Sequence, residues 1–176
     1  MKIAVYLGSS YGSDPAYSQA AAELGRWIAS RGHELVYGGT AMGCMESLAD
    51  AVIASGGTAI GVVPQFMVDR GIMHQHLSEA IVVETMAERK TKMIELADAY
   101  LACPGGPGTL EEISEALSLA KLGKLDAPAV FFNKNGFYEP LRAQFQAMVA
   151  EGFWTEEECA RVRFIGSVDE LDGIIG

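Results

Sequence analysis

The sequence predicts an α/β fold, a single doubly wound domain with a mainly parallel sheet flanked by helices. Short apolar runs that read as strands alternate with stretches whose apolar residues recur at helical spacing. Glycine-rich turns stand at the carboxyl ends of several strands, and no repeat, linker or low-complexity segment breaks the alternation. Repeated strand-helix units imply right-handed crossovers and hence a parallel sheet. With 176 residues, 49% of them apolar, the chain fits one domain over 1–176 and can bury a full core without staples.

Residues 3–7 are predicted as the first strand, running into the loop Gly8-Ser9-Ser10-Tyr11-Gly12-Ser13. Asp14 is expected to cap a helix with Pro15 at its first position. Ala20, Leu24, Trp27 and Ile28 give that helix its buried face, and Gly32 closes it. Ser9 and Ser10 either hydrogen-bond a ligand at the strand's carboxyl end or cap locally. Residues 33–37 are the second strand. The turn Gly38-Gly39-Thr40-Ala41-Met42-Gly43 then leads to a helix through Leu48, Ala49, Val52 and Ile53, ended by Gly56 and Gly57.

A third strand over 58–63 is stopped by Pro64, and 65–78 reads as a short helix and a loop. His74 and His76 in that loop are expected to be surface histidines, because no acidic or cysteine partner stands at ligand spacing; no metal is expected. Residues 80–83 form the fourth strand. The helix over 85–97 puts Met86, Met93, Ile94 and Ala97 on one face, and Arg89 and Lys90 fall on that same side. Cations there must reach a rim, a carboxylate or an anionic ligand.

The fifth strand, 100–103, ends in Pro104-Gly105-Gly106-Pro107-Gly108-Thr109, after which Ile113, Ala116, Leu117 and Ala120 mark a helix that stops near Gly123. A glycine turn entering a helix aims unpaired backbone N–H groups at one point, and the helix dipole adds to them, so the natural guest is a phosphate. Neither the dinucleotide pattern G-x-G-x-x-G nor the P-loop pattern is present, which points to a phosphate on something smaller than a dinucleotide. Beside such a crevice, the ligand reading of Arg89 and Lys90 gains. From the residues alone, Thr109-x-x-Glu112 also reads as a capping box. Strands over 129–132 and 162–165, a helix over 137–151 carrying Leu141, Phe145, Met148 and Val149, and a short helix over 168–175 complete the chain.

A formal charge of −10 argues against binding to nucleic acid or an acidic membrane. Cys44, Cys103 and Cys159 lack C-x-x-C spacing, so neither a disulfide framework nor a zinc site is indicated. The first apolar run is too short for a signal peptide and no segment has the length to span a bilayer, so the protein is expected to be cytoplasmic.

The motif Pro104-Gly105-Gly106-x-Gly108-Thr109-x-x-Glu112, with Met86-x-x-Arg89-Lys90 and Tyr37-Gly38-Gly39 before it, resembles the LOG ("lonely guy") family of cytokinin riboside 5′-monophosphate phosphoribohydrolases, often labelled lysine decarboxylases. The likeness extends over nearly the whole chain, to Asn133-x-x-Gly136-Phe137-Tyr138 and Met148-Val149-x-x-Gly152-Phe153. It implies a homodimeric Rossmann-like fold that hydrolyses the N-glycosidic bond of AMP or N6-substituted AMP to free base and ribose 5-phosphate, with no metal or organic cofactor. It also implies that Arg89 and Glu112 are catalytic and that the backbone of Gly106, Pro107, Gly108 and Thr109 holds the 5′-phosphate. Ser9, Gly39, Lys90, Gly105, Leu110, Glu111 and Ser118 complete the substrate-binding set.

The chain departs from the resembled pattern at Thr40, Glu46, Gly71, Leu119 and Lys121, positions that bear on the base pocket and the dimer surface. Two further classes stand beside the hydrolase. One is a non-catalytic sensor or carrier of a nucleotide-like ligand. The other is a pyridoxal-phosphate decarboxylase, against which no lysine of the chain has a recognisable cofactor context.

Overall fold

In the computed structural model, which describes residues 1–175, seven strands form one sheet: β1 (Lys2–Tyr6), β2 (Glu34–Tyr37), β3 (Thr58–Pro64), β4 (Glu79–Val83), β5 (Ala99–Ala102), β6 (Ala129–Phe132) and β7 (Val162–Ile165). All neighbours pair parallel, in the order β4-β3-β2-β1-β5-β6-β7. The chain therefore begins in the middle of the sheet and winds outward in both directions, and the strand order reverses at β1. Open parallel sheets place their ligand crevice at that reversal, outside the carboxyl ends of the strands.

Alternation along each strand sends side chains to two cores. Ile3, Val5 and Leu7 pack with Leu24, Trp27 and Ile28 of α1 (Ala16–Ser30) and Leu48 and Val52 of α2 (Gly43–Ala54). Ala4 and Tyr6 face the other way, with Met93 and Ile94 of α4 (Met86–Leu96), Ile113 and Ala116 of α5 (Pro107–Lys121) and Phe145 of α6 (Glu139–Ala150). A sheet covered on both faces needs strands that are apolar in both directions, which is why the central runs read as continuous apolar stretches. Truncating a fully buried leucine such as Leu24 to alanine costs about 2–5 kcal/mol by the transfer and cavity terms together.

The helix ends follow local chemistry. Asp14 Oδ1 accepts the Ala16 N–H at 2.9 Å, while Pro15 already has helical dihedrals, so Asp14 performs the capping expected of it. At the far end of α1, Trp27 Nε1 and Arg31 Nε both donate to Asp172 Oδ1, at 2.9 and 2.8 Å, tying the closing turn Val168–Gly173 to the first helix.

One alternative reading is excluded and one expectation is corrected. Helix α5 starts at Pro107 with Gly106 as its N-cap, so Thr109 is already inside the first turn and the Thr109/Glu112 capping box does not form. Proline at the first helical position, where its missing N–H costs nothing, sets that start. Reciprocal boxes form instead at Thr155 and Glu158, which open the helix α7 (Glu156–Ala160) that the sequence reading leaves unassigned, and at Ser167 and Glu170. Nor is His74 a surface residue. It is buried, with Nε2 3.0 Å from Asp50 Oδ1, and its Nδ1 accepts the His76 N–H at 3.2 Å, whereas His76 is exposed.

The His74 segment is fixed to a neighbouring turn. His74 N donates to Gly39 O at 2.9 Å and Ala41 N to Ile72 O at 3.0 Å, so the loop after α3 (Gln65–Asp69) is sewn to the turn after β2. Among the described residues, no group of three or more His, Cys, Asp or Glu side chains is arranged to hold a metal, and no helix is long and apolar enough to cross a membrane.

Candidate functional site

The carboxyl ends of β1, β2 and β5 open into a crevice of about 310 Å³, within the size range of small-ligand sites. Leu7, Gly8 and Ser9 enter it from β1, and Thr40, Met42 and Met45 from the turn after β2 and the start of α2. Met67 comes from α3 and Ile72 from the sewn loop, Met86 and Arg89 from α4, Gly106 from the turn before α5, and Pro107, Gly108, Thr109, Glu111 and Glu112 from α5.

Arg89 stands one turn before Met93 on the core-facing side of α4, which is why a cation ends up 4% exposed. A guanidinium there is tolerable only with acceptors around it. Its Nε donates to the Val62 carbonyl at 3.1 Å, and its Nη1 donates to Glu112 Oε1 in a buried ion pair. The third side of the guanidinium rests on Gly38, where any side chain would collide with it.

Glu112, 6% exposed, projects from α5 toward the same point. Burial raises the pKa of its carboxyl, and the facing Arg89 opposes that rise without cancelling it. Beneath it, burial and then the Glu112 carboxylate push the Tyr6 phenol above its ordinary value.

Lys90 takes a different course. Its Nζ lies 2.6 Å from Glu111 and 3.1 Å from Glu115, a bridge from α4 to α5 at the rim. The two cations that the helical spacing puts on one side thus part company, one inside with a carboxylate and one at the edge with two.

The turn before α5 is built by close approach. A Cβ on Gly105 would stand 2.2 Å from Thr109 Oγ1 and 2.9 Å from Gly8 N, so only glycine lets the turn lie against both the helix start and the loop after β1. Gly106 is extended, Pro107 needs no acceptor, and the N–H groups of Gly108 and Thr109 lie in the first turn, where a helix offers none. Free donors and a positive dipole end at the crevice suit an anion.

Of the residues singled out from sequence, the structure brings Ser9, Arg89, Gly106, Pro107, Gly108, Thr109, Glu111 and Glu112 to one crevice. Gly105 lies in the turn against Thr109 and Gly8, Gly39 packs on Val63 of β3 on the other side of β1, and Lys90 is held at the rim. Leu110 and Ser118 are exposed on α5 and do not line the crevice. Sequence reasoning did not find the apolar wall of Met42, Met45, Met67, Ile72 and Met86, whose members come from separate segments. Among the described residues no lysine lines the crevice, and the nearby Lys90 amine is engaged by Glu111 and Glu115 at the rim, an arrangement that does not suit a Schiff base.

A family model described as "possible lysine decarboxylase" matches residues 45–173. The chain is 40% identical over 156 residues to the cytokinin riboside 5′-monophosphate phosphoribohydrolase LOG of Oryza sativa subsp. japonica, an alignment that covers 89% of the chain and 64% of that protein. It thus spans just under two thirds of the rice protein's length. It is 41% identical over 161 residues to the cytokinin riboside 5′-monophosphate phosphoribohydrolase of Rhodococcoides fascians, covering 91% of the chain and 81% of the relative. Among solved structures, a molybdenum cofactor binding protein from the phototrophic bacterium Rippkaea orientalis superposes with a TM-score of 0.75 at 23% identity, covering 99% of this chain and 97% of the other, a likeness of fold alone. With a family match over most of its length and relatives at 40% identity, the chain belongs to the LOG family, the group described as possible lysine decarboxylases.

Proposed function

We propose that the chain hydrolyses the N-glycosidic bond of AMP or an N6-substituted AMP, a cytokinin riboside 5′-monophosphate, to free base and ribose 5-phosphate. The observation that carries this reading is the buried Arg89–Glu112 pair facing the same crevice as the first turn of α5. The names of the relatives at 40% identity support it.

Breaking the C1′–N bond leaves positive charge on the ribose and negative charge on the departing base. The 5′-phosphate rests on the amides that open α5, which holds the reacting bond in place and spends remote binding on orientation. The Glu112 carboxylate stabilises the ribose cation and orients the attacking water. The oxygen of that water joins C1′ and the water gives up a proton, while the base nitrogen leaves with the bonding electrons and takes up a proton in exchange. Arg89 favours the ionised form of Glu112 against the pull of burial and offers a donor to the developing negative charge. Donors and charges of this kind are worth about 10²–10³-fold in rate each. Residues 1–176 act as one unit, and the reading includes a cytoplasmic homodimer.

The test is a panel of nucleoside 5′-monophosphates incubated with purified protein, scored for free base and ribose 5-phosphate by chromatography. Equimolar release of the two from AMP or an N6-substituted AMP is the expected result. Nucleotide that binds and is returned intact would contradict it and make the crevice a carrier's site. Light scattering at the same concentrations reads the dimer.

A further inference from the structure

The apolar side of the crevice contains one buried hydroxyl. Thr40 lines the crevice, is 5% exposed, and is fixed through its backbone by a bridge to Met73. Its Oγ1 reaches the sulfur of Met45 at 3.1 Å. A thioether is a weak acceptor, and no other hydrogen bond of this hydroxyl is present among the described residues. Valine would fill the same space without a group to satisfy, so a hydroxyl held this deep with so poor a partner is a donor in want of an acceptor.

Its place in the sheet says which part of a ligand it meets. The phosphate turn follows β5 and Thr40 follows β2, with β1 between them. Two strand spacings separate the two positions, about 10 Å. In a nucleoside monophosphate the phosphate, sugar and base succeed one another in a line. A phosphate over β5 therefore carries the sugar over β1, beside Glu112, and the base onto the β2 side, where Met42, Met45 and Ile72 supply apolar contact for its faces.

We propose that the Thr40 hydroxyl is the base-side polar contact of this crevice, donating to an acceptor atom on the rim of the base and setting affinity for the base and not for the sugar phosphate. This rests on the reading under Proposed function.

The experiment compares equilibrium binding of two ligands by calorimetry: carbocyclic AMP, whose bond between base and ring resists hydrolysis, and ribose 5-phosphate. For Thr40→Val, carbocyclic AMP is expected to bind about tenfold more weakly, equivalent to about 1.4 kcal/mol, while ribose 5-phosphate stays within about twofold of wild type, since only one net hydrogen bond is lost. Thr40→Ser, which returns the hydroxyl, is expected to recover most of the loss. Equal weakening of both ligands, or no change in either, overturns the assignment of Thr40 and leaves the reaction standing. Wild-type protein that binds neither ligand overturns the proposed reaction and this contact with it.

Discussion

The guanidinium of Arg89 occupies the space that a side chain on Gly38 would need: a Cβ built there stands 2.0 Å from Nη2 and 3.2 Å from Cζ. The turn after β2 is thus a wall of the site as well as a reversal of the chain, and it presses the guanidinium toward the Val62 carbonyl and Glu112.

Gly38→Ala tests that contact. The far end of Arg89 is flexible and gives way before the backbone does, so the variant is expected to fold and lose the geometry of the pair. Base release from AMP should fall about 10²-fold, the scale of a displacement of about 1 Å in a site. Steady-state kinetics beside a circular dichroism spectrum checks this, and a wild-type rate in a folded variant would show that the position of Arg89 is immaterial.

Lys90 separates two roles. Held by Glu111 and Glu115, it rivets α4 to α5 and so keeps Arg89 opposite Glu112. In Lys90→Ala, kcat is expected to drop several-fold while the affinity for ribose 5-phosphate stays within about twofold. Partly exposed bridges are worth about 1 kcal/mol or less, so the melting point should move by only a few degrees. A large loss of ribose 5-phosphate binding would return Lys90 to the phosphate-contacting role implied by the family resemblance.

Glu112 makes a prediction about pH. Its folded pKa lies above the ordinary 4.5, chiefly through burial, and the proposed reaction needs it ionised. The acid limb of kcat/KM, which reports the free enzyme, should therefore stand above the usual carboxylate range, with activity rising as pH rises through it. Stability runs the opposite way. A raised carboxyl contributes stability that is full below 4.5 and lost as pH climbs through the folded value, so the ionised site is held at some cost to the fold. A limb at or below 4.5 would contradict burial as the dominant influence on Glu112 and give that part to Arg89.

Asp172 behaves in the opposite sense. Its hydrogen bonds from Arg31 and then Trp27 push its pKa from 3.8 down to about 2. A depressed carboxyl contributes stability that is present above 3.8 and lost as pH falls through about 2. Asp172→Asn should accordingly lower the melting temperature at pH 7 and leave it close to wild type near pH 2. Equal shifts at both values would mean that the tie between α1 and the closing turn owes nothing to charge.

All seven strands were legible because the central ones are buried on both faces and are punctuated by glycine and proline. The face of α4 was legible too, since Met86, Arg89, Met93 and Ile94 recur at helical spacing. What spacing could not supply was the partner across space. Glu112 meets Arg89 from a different helix, so the residues alone left a cap open beside the catalytic role that the resemblance implied, and Asp50 meets His74 from α2, so His74 passed for a surface histidine. Pro107 behind Gly106 was a start signal in plain view, but Thr109-x-x-Glu112 competed with it, and only the observed start of α5 decides between them. The methionine wall was out of reach for the same reason, since its members converge only once the loop after α3 is sewn to Gly39 and Ala41.

Single-turnover release of base from AMP by Glu112→Gln tests the pairing of Arg89 with Glu112 most directly, because the side chain keeps its shape and its hydrogen-bonding reach while losing its charge. The predicted result is a protein that still binds ribose 5-phosphate and frees base at least about 10²-fold more slowly than wild type. Release at the wild-type rate would contradict the account, for the carboxylate facing Arg89 would then have no part in the chemistry.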